Sequence, residues 1–154
     1  MSIPSVELPP ESARILKRFD HVGIAVRDVE KALSVYRNVL GGRLTLFREM
    51  GTTNDYYFTQ IILAGQKIEF IEPIAEKESF LTKFLRERGE GLHHLTFQVD
   101  DIQKAVSHLK SAGLRVVDEF YEDPLWRTAF ISPRSSNGAL IQIYQTSPGS
   151  AYDG

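Results

Sequence analysis

Cysteine is absent from this 154-residue sequence, which excludes disulfide bonds and metal sites built from thiolates. A large excess of charge of one sign is also missing. The formal net charge is −2, which argues against nucleic acid or an anionic membrane as a partner. No apolar run approaches the roughly 20 residues that span a bilayer. The N-terminus lacks the apolar stretch typical of a signal peptide, so we expect a cytoplasmic protein.

The most informative feature that the sequence does contain is an internal repeat. Residues 19–34 match residues 92–107 at an offset of 73 positions, and the match recurs near the end of each copy. Two copies are too few for a solenoid, so the repeat predicts a duplicated fold with internal pseudo-symmetry. The matched pairs that matter below are His21 with His94, Val26 with Val99, Asp28 with Asp101, Lys31 with Lys104, Ile68 with Ile141, and Glu69 with Gln142.

Each copy predicts the same order of elements: strand, helix, strand, strand, strand. The first strand alternates apolar and polar residues with the period of two that is typical of a half-buried strand. Asp28 and Asp101 follow these strands where a helix N-cap is expected. The predicted strands are 19–26, 43–48, 56–63, 67–72, 92–99, 114–121, 127–131 and 139–145, and the predicted helices are 28–40, 79–88 and 101–111, with a short one near 11–17.

The length fits one domain, and the repeat divides it. Residues 1–18 are predicted as an N-terminal extension and residues 19–146 as a single α+β domain. Within that domain the modules 19–73 and 91–146 are joined by a linker helix in 74–90. Residues 147–154 are assigned to a C-terminal tail, and the chain is expected to be disordered from Thr146 onward. Leu40 is expected on the buried stripe of the first helix, and Phe80, Phe84 and Leu85 on that of the linker helix.

The alternation of the strands brings four polar side chains to one face. His21 and His94 lie opposite the apolar residues that must face the helices, and so do Glu69 and Gln142. Two imidazoles, a carboxylate and an amide oxygen form a plausible site for a borderline divalent cation. His93 is expected to point away from His94, as a structural residue or as a hydrogen-bond partner behind the site. His108, late in a helix, is expected in solvent.

These residues carry a resemblance to the vicinal oxygen chelate superfamily, which includes glyoxalase I, methylmalonyl-CoA epimerase, fosfomycin-resistance enzymes and extradiol dioxygenases. The resemblance covers about residues 19–146. The segments most similar to the epimerases are Asp20-His21-Val22, Gly91-Leu92-His93-His94, Val99-Asp100-Asp101-Ile102 and the stretch from Ser132 to Ile141.

The resemblance implies two βαβββ modules, a cupped mixed sheet and a divalent metal, which would be Co, Ni, Zn, Mn or Fe. It places the ligands on His21, Glu69, His94 and Gln142, and it suggests a homodimer. The catalytic positions fall on Glu69, Gln142 and Gln60. The epimerases carry carboxylates at or near the last two, and glutamine does not titrate. Either Glu69 or a metal-bound water is then the base, or the reaction differs.

The ligand charges make a further prediction, because two imidazoles, one carboxylate and one amide leave a divalent ion with a net charge near +1. Such an ion favours an anionic ligand such as an enolate or a carboxylate.

Residues expected near the mouth of the cup, where they would contact a substrate, are Asn54, Tyr56, Trp126 and Arg127. Arg127 is predicted to bind a phosphate or a carboxylate.

Three functions remain open from the sequence. The first is a metal-dependent isomerase that acts through a metal-stabilised enolate, as methylmalonyl-CoA epimerase does. The second is a glyoxalase-I-like lactoylglutathione lyase, and the third is a non-catalytic ligand-binding or resistance protein. The expected substrate is a small molecule such as an acyl-CoA or a glutathione thioester. A dioxygenase is less favoured, because it generally needs two histidines and a carboxylate around iron, and Gln142 stands at the position of that carboxylate.

Overall fold

The two predicted modules form the two halves of one sheet in the computed structural model, which describes residues 14–75 and 77–150. The elements are β1 (Arg18–Ala25), α1 (Val29–Tyr36), β2 (Arg43–Met50), β3 (Tyr56–Leu63), β4 (Gln66–Pro73), α2 (Phe80–Arg88), β5 (Gly91–Gln98), α3 (Ile102–Ser111), β6 (Val116–Phe120), β7 (Trp126–Ile131) and β8 (Leu140–Thr146). The eight strands lie in the order β2-β3-β4-β1-β5-β8-β7-β6. The sheet is mixed, since β1–β4 and β5–β8 are parallel pairs and the other neighbours are antiparallel.

A pseudo-twofold axis relates the halves and passes between β1 and β5. Val22 pairs with Leu95 across this seam, and these two residues are themselves related by the 73-residue offset. The pair His21–Thr96 on one side of them corresponds to the pair Gly23–His94 on the other. The sequence repeat is therefore a symmetry of the fold, as predicted.

The same seam contains two β-bulges. Phe19 and His21 pair with the consecutive residues Phe97 and Thr96, so β1 has one extra residue, Asp20. On the other side of the axis, Gly23 and Ile24 pair with His94 and Leu92, so His93 is the extra residue of β5. A bulge interrupts the alternation of faces and redirects a side chain.

The helices of the two modules begin with equivalent hydrogen bonds. The carboxylate of Asp28 accepts from the amides of Glu30 and Lys31. Asp101 accepts from the amide of Lys104, so both predicted N-caps are confirmed. The last strand of each module supplies one more acceptor, which takes the hydrogen of the first amide of the helix. Glu72 Oε2 accepts from Val29 N at 2.9 Å, and its repeat partner Gln145 Oε1 accepts from Ile102 N at 2.9 Å.

The three helices cover different parts of the sheet. Helices α1 and α3 pack on the face that carries Phe70 and Ile143, where each forms an apolar core with its own module. Helix α2 packs on the opposite face, where Leu81 and Leu85 contact Ala25 and Ile71 near one end of the central strands. We call this second face the histidine face, because His21 and His94 lie on it. Among the described residues, no helix is both long enough and apolar enough to span a bilayer.

Several local predictions were wrong. Helix α1 ends at Tyr36, so Leu40 lies beyond the buried stripe and is 55% exposed. Phe80 is 45% exposed, because the buried side of α2 is formed by Leu81 and Leu85, and Phe80 lies beside it. Residues 14–17 are not helical, and 11–13 lie outside the described residues. Thr146 ends β8, and the hydroxyl of Ser147 donates to Pro124 O, so order continues past the predicted start of a disordered tail. His108 is exposed, as predicted.

Candidate metal and active site

Three potential metal ligands meet at the centre of the histidine face. The ring atoms His21 Nε2 and His94 Nε2 are 3.3 Å apart. Glu69 Oε1 lies 3.5 Å from the first and 3.9 Å from the second. The three side chains are nearly enclosed, at 4%, 7% and 12% exposure for His21, His94 and Glu69. They belong to β1, β5 and β4, which are neighbours in the sheet although far apart in the sequence. We call them the triad.

The spacing of the triad fits a divalent transition metal. A triangle with sides of 3.3, 3.5 and 3.9 Å has a centre about 2.1 Å from each corner, which is the usual length of a bond from zinc to imidazole nitrogen or carboxylate oxygen. Two imidazoles and one carboxylate also match the ligand preferences of such ions. The described residues therefore contain a set of three donors that could hold an ion together.

Gly23 makes room for one of the two imidazoles. It pairs with His94 across the seam, and a Cβ built at this glycine would lie 2.1 Å from His94 Cε1. Real side chains never approach so closely, so the ring of His94 occupies space that any other residue at position 23 would fill. The equivalent residue in the second half is Thr96, whose hydroxyl lies 3.1 Å from His21 Nε2.

The carboxylate of Asp20 orients the imidazole of His21. Asp20 Oδ2 accepts from His21 Nδ1 at 2.7 Å, which directs His21 Nε2 towards the triad. Lys67 Nζ contacts both oxygens of Asp20 at 3.2 Å, and the hydroxyl of Tyr144 donates to Oδ1 at 2.9 Å. A histidine ligand whose other nitrogen is held by a carboxylate is a common arrangement behind metals in proteins.

Without an ion, a positive charge on His21 compensates the negative charges of Glu69 and Asp20. Burial alone would lower the pKa of His21, but the charges and hydrogen bonds of Glu69 and Asp20 outweigh it and raise this pKa to about 9. Burial alone would raise the pKa of Glu69 and of Asp20, yet the contacts with His21 lower both to about 2. An imidazolium between two carboxylates therefore occupies the site in the metal-free protein, and a bound ion must displace its Nε2 proton.

His94 and its neighbour His93 are neutral. Burial lowers the pKa of His94 to about 3, and the charge of His21 adds to this effect. Burial and the charge of Arg88 lower the pKa of His93 to about 4. The prediction that His93 points away from His94 was wrong, because the bulge in β5 turns it towards the histidine face. His93 Nδ1 lies 3.0 Å from His94 Nδ1, so its alternative interpretation as a hydrogen-bond partner agrees with the structure.

The two glutamines lie at different distances from the triad. Gln60 Nε2 donates to Glu69 Oε2 at 2.8 Å, so it fixes one oxygen of the Glu69 carboxylate and leaves Oε1 directed at the two imidazoles. Gln142 is further away, because the hydroxyl of Thr96 lies between it and His21. Thr96 donates to Gln142 Oε1 at 2.9 Å, and Gln142 Nε2 donates to Thr128 at 3.1 Å. Ligation by Gln142 stays a prediction.

The four predicted substrate contacts do not come together. Tyr56 lies on the histidine face, where its ring packs against Phe80, and burial and the charge of Glu69 raise its pKa. Trp126 stacks on Tyr144 at 4.4 Å, on the histidine face. Asn54 is exposed in the turn before β3, where its carbonyl accepts from Lys77. Arg127 lies on the opposite face, because it alternates with Trp126 and shares its side of β7 with the core residues Ala129 and Ile131.

Sequence reasoning missed Asp20, Gly23 and Thr96 as parts of the site. The repeat contained a signal for each of them, since Asp20 corresponds to His93 and Gly23 corresponds to Thr96. The signal could not be interpreted, because the bulges that turn positions 20 and 93 inward depend on how β1 pairs with β5.

Comparisons with known proteins agree with this architecture. The family model described as Glyoxalase/Bleomycin resistance protein/Dioxygenase superfamily matches residues 20–130. Uncharacterized protein YqjC of Bacillus subtilis is 33% identical, over 83% of this chain and 91% of its own. Ethylmalonyl-CoA/methylmalonyl-CoA epimerase of Cereibacter sphaeroides is 31% identical, over 85% of this chain and 99% of its own.

A solved structure gives the same result. Methylmalonyl-CoA epimerase from Mycobacterium tuberculosis superimposes with a TM-score of 0.76 at 28% identity, over 88% of this chain and 92% of its own. The mixed eight-stranded sheet, the duplicated modules and these matches lead to one conclusion: the chain belongs to the glyoxalase/bleomycin resistance/dioxygenase superfamily, within which it is similar to methylmalonyl-CoA epimerases.

Proposed function

We propose that the protein is a divalent-metal-dependent epimerase that acts next to the carbonyl of an acyl-CoA thioester of the methylmalonyl type. The observation that carries the proposal is the convergence of His21, Glu69 and His94, whose donor atoms all lie within 4.8 Å of one another. The relatives with a named activity support the choice of reaction, since they are methylmalonyl-CoA epimerases.

The reaction removes a proton from the carbon next to the thioester carbonyl and returns one to the other side of that carbon. When bound, a divalent ion would act as a Lewis acid on the carbonyl oxygen and stabilise the negative charge of the enolate. The triad would hold this ion, Asp20 would orient His21, and Gln60 would orient Glu69. The burial of these groups strengthens their electrostatic effect on the reacting atoms, because little water screens them.

The proton acceptor in this proposal lies outside the triad. Gln60 does not titrate, and Glu69 holds the ion in this proposal, so its carboxylate is not free to take the proton. Strand register places Glu49 opposite Phe58, whose ring packs with Ile71 on the histidine face. The exposed carboxylate of Glu49 therefore lies on the side of the sheet that carries the triad, and we assign it the role of the base.

Proton exchange in heavy water tests the proposal. Methylmalonyl-CoA incubated with the protein and Co²⁺ is expected to exchange the proton next to its thioester carbonyl for deuterium, as followed by NMR. Glu69→Gln should lose both the ion and the exchange. Glu49→Gln should keep the ion and lose most of the exchange. Glu87→Gln, which removes an exposed carboxylate from α2, should behave as the wild-type protein.

Other outcomes would favour the remaining functions. Absence of exchange with every divalent ion tried would contradict the epimerase. Turnover of the hemithioacetal of methylglyoxal and glutathione would then indicate a glyoxalase-like lyase. Binding of a thioester with equal affinity before and after chelation, and without exchange, would indicate a protein that only binds its ligand.

A further inference from the structure

The two imidazoles of the triad have matching surroundings. Each follows a residue that a β-bulge adds to its strand, Asp20 before His21 and His93 before His94. These added residues are related by the same 73-residue offset as the histidines they precede. Each also contacts Nδ1 of its neighbour, at 2.7 Å from Asp20 Oδ2 and at 3.0 Å from His93 Nδ1.

We propose that His93 is the counterpart of Asp20: a positioning residue that accepts the hydrogen of His94 Nδ1 and thereby keeps His94 Nε2 free for an ion. The inference rests on the metal site proposed above and adds a role to a residue outside the triad. It concerns orientation and tautomer, since His93 itself does not reach the other two members of the triad.

The direction of the hydrogen bond follows from the chemistry of imidazole. A neutral ring carries one N–H, so a ring that offers Nε2 as a ligand must carry its hydrogen on Nδ1. His94 Nε2 is one of the three converging donor atoms, and His94 Nδ1 faces His93 Nδ1. Only one of two facing nitrogens can hold the hydrogen, so His93 accepts and carries its own on Nε2.

The surroundings of His93 keep its ring in the position that this role requires. The ring of Phe84 packs edge-on at 4.7 Å between centroids, and that of Phe80 lies at 5.7 Å. The ring of His94 packs against the backbone of Gly23, which fixes its position. These contacts leave His93 Nδ1 directed at its neighbour.

The two halves thereby differ in charge although they agree in geometry. Asp20 supports His21 with a carboxylate, whereas His93 supports His94 with a neutral ring. A second carboxylate at position 93 would add negative charge behind the ion. The neutral partner orients His94 and leaves the positive charge of the ion available to an anionic ligand.

Two variants separate the hydrogen bond from packing. His93→Phe keeps an aromatic ring beside Phe84 but removes the acceptor, whereas His93→Gln keeps an acceptor. Phe84→Leu is the matched control, since it loosens the packing of His93 and leaves its nitrogen in place. Binding of Zn²⁺ or Co²⁺ is measured by calorimetry. The tautomer of His94 is measured in ¹⁵N-labelled metal-free protein, from the correlations between ring nitrogens and ring protons.

The wild-type protein is expected to show the Nδ1–H tautomer at His94. His93→Phe should weaken ion binding by about 10- to 100-fold and mix the tautomers, as loss of a group behind a metal ligand does. His93→Gln and Phe84→Leu should keep both properties close to wild type. A His94 that carries its hydrogen on Nε2, or wild-type affinity in His93→Phe, would overturn the inference. A wild-type protein that binds no divalent ion would instead contradict the proposed function, and the tautomer would still decide the role of His93.

Discussion

At the residue scale, the position of His94 depends on the absence of a side chain at Gly23. We expect Gly23→Ala to push the ring aside, because the new Cβ would lie 2.1 Å from His94 Cε1. Overpacking of this kind costs about 1–3 kcal/mol. Urea denaturation with a chelator present measures the free energy of unfolding.

The control for this prediction is a double-mutant cycle with His94→Ala. Once the imidazole is removed, an alanine at position 23 has no ring to displace, so most of the cost should disappear. An equal loss of stability in both backgrounds would show that Gly23 is needed for some reason other than His94.

A second prediction at this scale concerns the amide of Gln142. Gln142→Glu should tighten binding of a divalent ion by at least about tenfold, since a unit charge about 4 Å away contributes about 4 kcal/mol at an effective dielectric constant near 20. The new carboxylate also loses the donor that Gln142 Nε2 offers to Thr128, which favours its rotation towards the triad.

Gln145→Glu is the matched control for Gln142→Glu. It adds the same charge to the same strand, but on the opposite face, where position 145 caps α3. Calorimetry should therefore show little change in its ion affinity. Equal or weaker affinity in Gln142→Glu would count against a place for position 142 beside the ion.

At the scale of elements, the helices depend on the acceptors at their first turns. Asp101→Ala removes the acceptor of Lys104 N and should lower the free energy of unfolding by about 1 kcal/mol. Asp100→Ala is the adjacent control. Its carboxylate is 79% exposed and pairs with the half-exposed Lys17, so its loss should change stability by less than about 0.5 kcal/mol. Equal effects in thermal or urea denaturation would contradict the capping role.

The strands show how far the pattern of the sequence reaches. The period of two predicted which residues of β1, β4 and β8 face the helices, and Phe70 and Ile143 are indeed buried against α1 and α3. The pattern failed for His93, because a bulge adds a residue to β5 and resets the alternation. It was not applied to Arg127, whose neighbours Ala129 and Ile131 already indicated the helical face.

At the scale of the whole molecule, the buried charges predict how the stability of the metal-free protein varies with pH. His94 and His93 have a pKa of about 3 and 4 instead of 6.5, and Glu69 and Asp20 have a pKa of about 2. The unfolded chain then binds more protons than the folded one at acid pH. Stability should therefore rise from pH 2 to about 6.5.

His21 has the opposite sign. Its pKa is about 9 in the folded protein instead of 6.5, so its contribution is complete below pH 6.5 and is lost as the pH rises through 9. The metal-free protein should therefore be most stable near pH 6.5. His21→Asn should flatten the fall between pH 6.5 and 9, as measured by urea denaturation across the pH range. A wild-type curve as flat as that of the variant would contradict the charged state of His21.

The sequence by itself determined the duplication, the faces of the strands and three of the four side chains expected to converge, because a repeat fixes equivalent positions and a strand alternates with a period that needs no partner. Only the tertiary structure decided which side chains support the triad. The room beside Gly23, the inward turn of Asp20 and His93, and the hydroxyl of Thr96 between His21 and Gln142 all arise where β1 pairs with β5. The register and the bulges of that pairing depend on residues about 73 positions apart, and the alternation within either strand does not specify them.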